Sequence, residues 1–155
     1  MIRVQAADFD VGAELAGFAA DDRAIGGICT FVGLVRDVAE GGAQVAAMTL
    51  EHYPGMTERQ LEAIEAEARR RWPLKDVLVI HRFGRLEAGD RIVLVATAAS
   101  HREAAFASCH FLMDWLKTKA PFWKLEHTGD GESWVAAKDG DDDAAARWDG
   151  ADDGE

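Results

Sequence analysis

The chain has 155 residues, of which 48% are hydrophobic and 29% charged, enough for one domain with one substantial core and typical of a globular protein. A formal net charge of -11 argues against general binding to nucleic acid or to anionic membranes. No apolar run reaches the length of a membrane-spanning helix, and Met1-Ile-Arg-Val-Gln5 lacks the apolar stretch of a secretory signal.

The two cysteines, Cys29 and Cys109, each lie in an apolar segment, as buried free thiols do in a reducing compartment, so a cytoplasmic location is expected. The acidity is concentrated at one end. From Asp139 to Glu155 eight Asp and Glu stand against Arg147 alone, a net of -7 that leaves -4 for residues 1–138. The organisation expected is therefore one domain over 1–138 and a disordered acidic tail over 139–155.

In chain order, Asp10 caps a short helix that runs to about Ala20. Residues 25–35 read as a buried strand whose glycines mark close approach of backbone or ligand. Arg36 to Ala43, with Glu40-Gly41-Gly42, reads as a mobile loop, and Gln44 to Tyr53 as a second strand ended by Pro54-Gly55. Thr57 opens a helix with Gln60 completing a capping box and Leu61, Ile64 and Ala68 on one face; it stops near Trp72-Pro73.

Val77–Ile80 and Arg91–Val95 follow as strands on either side of a turn at Ala88-Gly89-Asp90. Ser100, with Glu103 three residues on, caps the next helix, whose apolar stripe is Phe106, Cys109, Met113 and Leu116 and which ends at Pro121. Phe122–Thr128 and Ser133–Lys138 form a last strand pair around Gly129-Asp130-Gly131. Three main helices separated by mostly antiparallel strand pairs make an α+β fold.

Two cationic groups stand out in this acidic chain. Lys117-Thr-Lys-Ala-Pro-Phe-Trp-Lys124 places three ammonium groups within eight residues, and Pro121 reverses the chain so that Lys117 and Lys124 can face one cavity. Neighbouring ammonium groups disfavour each other's protonation, which lets a lysine donate or accept protons near neutral pH. The same residues also fit an ordinary helix C-terminus, where lysines complement the dipole. Spacing alone leaves both readings open.

The second group, His101 and Arg102, sits in the first turn of the helix that Ser100 opens, against the helix dipole, where cations suit a bound anion such as phosphate. Arg36, after a glycine-containing strand, suits the same task; an exposed polar role fits each of them equally well. His101 and Lys117 are sixteen residues apart on one helix, about 24 Å, so one small pocket of one copy cannot contain both. A symmetric dimer brings them together. His52, His81, His101, His110 and His127 show no metal-ligand spacing, and no phosphate-loop or dinucleotide motif occurs, so no metal or cofactor is expected.

Several segments together resemble one family, the large catalytic subunit of molybdopterin synthase: Thr30-Phe-Val-Gly-Leu-Val-Arg36, Leu50-Glu-His-Tyr-Pro-Gly-Met56, Val79-Ile-His-Arg82, Ser100-His-Arg102, and Met113-Asp-Trp-Leu-Lys-Thr-Lys-Ala-Pro-Phe-Trp-Lys124. They stand in the family's order over about residues 25–138. The resemblance implies an α/β-hammerhead fold and a sulfurtransferase of molybdenum cofactor biosynthesis. The reaction implied converts cyclic pyranopterin monophosphate (precursor Z) into molybdopterin. Its two sulfurs come from the thiocarboxylated C-terminal glycine of a small ubiquitin-like subunit, within a heterotetramer built on a homodimer.

Carried over by position, Lys117 and Lys124 would be catalytic. Arg36 and, from the second copy, His101 and Arg102 would bind the substrate, with Leu34, Val35, Leu125 and Glu126 lining it. Phe31 and Met113 would shape the pocket wall, and Lys138 would occupy a basic position. Where some relatives carry basic residues this chain has Leu34 and Leu125, which suits them to backbone contacts. Neither cysteine is needed as a sulfur carrier. Two other functions stay compatible with the residues: a non-catalytic module that captures ubiquitin-like C-terminal tails, and a phosphate-ligand sensor using Arg36, His101 and Arg102.

Overall fold

A computed structural model describes residues 1–39, 41–135 and 139–150. Its centre is a pair of strands too apolar to tolerate water on either face. β4 (Leu74–Arg82) and β6 (Arg91–Ala99) pair antiparallel, and Val77, Ile80, Leu94, Val95 and Ala96 are each fully buried. Such near-continuous apolar runs need cover on both sides.

One face is covered by α2 (Met56–Arg71) and α3 (Arg102–Lys119), which contribute Leu61, Ile64, Ala68, Phe111, Leu112 and Leu116 to the main core. The other face is covered by α1 (Val11–Gly17) and its flanks, through Phe9, Leu15 and Phe18 against Leu78, Ile80 and Leu94. β1 (Ile2–Gln5) lies parallel to β4, and β2 (Gly27–Leu34) antiparallel to β6, giving the order β1-β4-β6-β2.

A second sheet has the order β5-β3-β7-β8, from β5 (Gly84–Glu87), β3 (Val45–His52), β7 (Phe122–Thr128) and β8 (Gly131–Val135). The chain passes from the first sheet to the second between β4 and β5, at Gly84. Its φ of +88° is a conformation that a side chain would resist. A small cluster of Val35, Met48, Leu50 and Leu86 then seals the second sheet against the end of β2. The mixed α+β architecture expected from the sequence is observed.

Several local expectations need correction. β1 and β5 are strands that the pattern reading did not anticipate, each only four residues long. Asp10 does cap α1, accepting from the Ala13 N–H at 2.7 Å, but the helix ends at Gly17 rather than near Ala20. Thr57 does not cap α2. Gly55 occupies that position and its N–H is bound by the Glu58 carboxylate at 2.6 Å. Thr57 is instead fully buried, accepting from the Tyr53 N–H and donating to the Pro121 carbonyl.

His101, not Ser100, is the N-cap of α3. Phe106 is 64% exposed and stands outside the apolar stripe assigned to it. β8 begins at Gly131, two residues before the expected start.

The disordered tail expected from residue 139 is also corrected over 139–150. α4 (Asp139–Ala146) forms there, with Ala145 buried. Trp148 packs edge-on against Trp72 and Phe111, donates its indole N–H to Asp114 at 2.7 Å, and offers its carbonyl to Arg71. Composition misleads here because one tryptophan on an apolar groove outweighs a locally polar segment.

Candidate active site

α3 is one unbroken helix of 18 residues, so it holds its two cationic ends about 24 Å apart in a single chain. At its N-terminus, Gly26, Ser100, His101, Arg102 and Glu103 line an open depression of ≈ 490 Å³. Gly26 is required there: a Cβ would lie 2.0 Å from the Ser100 carbonyl oxygen, and its N–H bonds Ala99 at 2.9 Å. The close approach pins the start of β2 beside the first turn of α3. The His101 and Arg102 side chains are exposed, and the His101 side chain caps nothing. Exposed basic-type side chains at a helix N-terminus are an arrangement that can receive an anion.

At the other end of α3, Lys117 and Lys119 occupy the last turn, and the chain leaves through Ala120 and Pro121 into β7. That turn is held from α2 by the buried Thr57 hydroxyl on the Pro121 carbonyl, 3.2 Å, and closed by the Phe122 N–H on Ala120, 2.9 Å. Lys119 lies over the Trp115 ring at 3.8 Å, which commits its ammonium to a cation–π contact. Lys117 and Lys124 are both exposed.

In β7 the cross-strand register decides which neighbours share a face. Lys124 stands opposite Leu50, and Glu126 opposite Met48, so both belong to the face that carries the small core cluster. Leu125 stands opposite Thr49 and Trp134 on the other face, so its side chain is not directed with Lys124. Leu34, Val35 and Arg36 come together with Asp37, Val38, Ala39, Ala88 and Gly89 around a second depression, of ≈ 670 Å³. Val35 is only 3% exposed and packs with Leu50, the cross-strand partner of Lys124. Leu34 and Arg36 on either side of it are exposed. The Arg36 segment and Lys124 are thus anchored to one cluster.

Of the two pocket-wall residues, Phe31 is 41% exposed, whereas Met113 belongs to the main core at 8%. A wall role for Met113 is therefore limited to what it supports from beneath. Lys138 lies outside the described residues.

Pattern reading passed over one charged-type residue in the core. His81 is 5% exposed at the end of β4, stacked on Phe122 with ring centroids 3.7 Å apart. Its Nδ1 lies 2.8 Å from the Arg82 carbonyl, which can only accept, so Nδ1 carries the proton. Burial, with smaller contributions from the charges of Lys124 and His52, lowers its pKa to about 4 and keeps it neutral. The available signal was its place at the end of an apolar strand, where a satisfied polar group is the exception. The Cys109 thiol is pushed upward by burial and by the neighbouring Cys29, which makes it unreactive rather than nucleophilic.

Among the described residues, no helix is long and apolar enough to cross a membrane, and no group of three metal-ligating side chains occurs.

The family model described as MoaE protein matches residues 4–119. A molybdopterin synthase catalytic subunit of Cereibacter sphaeroides is 56% identical over 95% of this chain and 99% of its own length. One from Ralstonia nicotianae is 54% identical, over 95% of this chain and 83% of its own length. Among solved structures, the molybdopterin biosynthesis MoaE protein of Burkholderia ambifaria superposes with a TM-score of 0.82 at 59% identity, covering 96% of this chain and 97% of that one.

Proposed function

The chain belongs to the MoaE family, and from that premise we propose that it is the catalytic subunit of molybdopterin synthase, a sulfurtransferase of molybdenum cofactor biosynthesis. It converts cyclic pyranopterin monophosphate to molybdopterin, taking both sulfurs from the thiocarboxylated C-terminal glycine of a small ubiquitin-like subunit. It works in the cytoplasm, as the core dimer of a heterotetramer with that subunit.

The observation that carries the mechanism is the unbroken α3, with cations at both ends and no possibility of their meeting within one chain. Both reactants are anions, a thiocarboxylate and a cyclic phosphate, and the protein around them is acidic. In a symmetric dimer His101 and Arg102 of one copy seat the phosphate and pterin beside Lys117 and Lys124 of the other, and Arg36 adds a guanidinium. Leu34, Val35, Leu125 and Glu126 line the substrate, largely through backbone at the two leucines and Val35.

Attack by the thiocarboxylate and opening of the cyclic phosphate need proton transfers and compensation of developing negative charge. Lys117 and Lys124 supply both. The pinned Pro121 turn supports this by fixing where the two lysines emerge, since positioning within a fraction of an ångström governs such steps.

The test is reconstitution with thiocarboxylated partner and precursor Z. Lys117→Ala should abolish most dithiolene product with the fold intact, and wild-type rates would refute the catalytic assignment. Mixing His101→Ala and Lys117→Ala copies should restore about a quarter of wild-type turnover, because half the dimers are hybrids with one complete site each. No recovery would refute the shared site.

A further inference from the structure

Two histidines lie between the sheets close to Lys124, and the reaction as described uses neither. His81 reaches from the end of β4 to stack on Phe122 of β7. His52 of β3 stands directly opposite Phe122 and packs on Phe83, the rings tilted by 30° with centroids 4.2 Å apart. Phe122 and Lys124 are alternate residues of one strand and share a face. Lys124 is therefore the next side chain along the face on which the imidazole rests, and its charge is among those that His81 feels.

Core packing by itself gives no reason for a histidine at this place. A phenylalanine would stack on Phe122 equally well and would not carry two nitrogens into a site that is 5% exposed. One nitrogen is accounted for by the Arg82 carbonyl, which fixes the tautomer and leaves Nε2 as the ring's lone-pair acceptor. The groups that face His81 from neighbouring elements are Lys124 of β7 and His52 of β3, with Glu58 of α2 beyond His52 at 4.0 Å. Of these, the lysine ammonium is the strong donor that matches a neutral acceptor.

We propose that His81 is a positioning residue for Lys124: its neutral Nε2 accepts a hydrogen bond from the Lys124 ammonium and aims it at the reacting atoms. The Arg82 carbonyl holds the ring tautomer, Phe122 holds the ring plane, and the ring holds the lysine. This deepens the sulfurtransferase reading above and rests on Lys124 being part of that site.

Two variants separate acceptor from packing. His81→Phe keeps the stack and removes the acceptor, whereas His81→Gln supplies an amide oxygen. Turnover is measured in the reconstituted reaction with the thiocarboxylated partner. Reactivity of the Lys124 amine toward acetic anhydride is followed against pH by mass spectrometry, without turnover. His81→Phe is expected to lower kcat about tenfold at unchanged KM, and to lower the pH at which Lys124 becomes reactive by about 1, as loss of a bond to the charged form requires. His81→Gln should recover most of both. Wild-type values in His81→Phe, or equal damage in both variants, would overturn the proposal.

If His81→Phe does not fold, the imidazole 15N resonances of the otherwise native chain decide. Lys124→Ala should shift Nε2 of His81 and leave Nδ1 in place, and an unmoved Nε2 overturns the proposal. Lys124→Ala in the turnover assay tests the underlying reading separately. Full activity there would remove Lys124 from the chemistry, whatever the His81 resonances show.

Discussion

Acidification from pH 7 to 4.5 should destabilise this protein through one residue, His81. In the folded chain its pKa is about 4, against 6.5 for an unperturbed imidazole, chiefly because the ring is buried. Between those values the unfolded chain binds a proton that the folded chain refuses. The stabilisation is therefore fully present above about pH 6.5 and is lost as pH falls toward 4. Each pH step in that interval removes up to about 1.4 kcal/mol, so the loss is about 2 kcal/mol at pH 5 and about 3 kcal/mol over the whole interval. Against a typical domain stability of about 5–15 kcal/mol this is a large share.

The window is clear of the perturbed carboxylates. Glu67 is held at about 2 by Arg70 and Arg71, and Asp8 is lowered by Arg91, so both act at lower pH. Urea unfolding at several pH values and one protein concentration, on the native chain and on His81→Phe, gives the measurement. The native curve should fall below pH 6.5 and the variant should stay flatter by about 2 kcal/mol at pH 5. Parallel curves from pH 7 to 4.5 would refute the assignment of a buried neutral His81.

Gly26→Ala should destabilise the fold by about 2 kcal/mol and weaken substrate use, because a Cβ 2.0 Å from the Ser100 carbonyl oxygen forces the backbone of the anion seat apart; a thermal melt and KM check it, and unchanged values would mean the contact relaxes freely. Thr57→Val should cost about 2 kcal/mol in urea, since it removes a fully buried hydroxyl that the Tyr53 N–H and the Pro121 carbonyl share as partner. The same substitution should lower kcat by loosening the turn between Lys117 and Lys124. Trp148→Ala should cost about 2 kcal/mol through lost contact with Trp72 and Phe111 and loss of the bond to Asp114. Full stability in that variant would make the packed segment dispensable.

Much of the candidate site was legible as charge out of place. His101 and Arg102 face a helix N-terminus that repels them, and Lys117 and Lys124 bracket a proline in an acidic chain. Each is a local conflict with stability, and such conflicts need no knowledge of the fold to be seen. The side-chain direction of Leu125 was not legible, because it depends on cross-strand register with Thr49 and Trp134. Nor was the core position of Met113, which depends on what α3 packs against.

The amino-acid pattern alone determined the elements whose causes are short-range: the Asp10 cap, the apolar face of α2, the face of α3 apart from Phe106, and the buried central strands. It also determined that one helix carries cations at both ends, too far apart to meet. Only the tertiary structure decided what depends on pairing between distant residues. Examples are the parallel docking of β1 on β4, the passage of the chain between sheets at Gly84, the clasp of Trp148 on α2 and α3, and the placing of His81 against Phe122 beside Lys124. The reason is physical. Helix propensity and capping act within a few residues, whereas burial and strand register are properties of the whole packed chain.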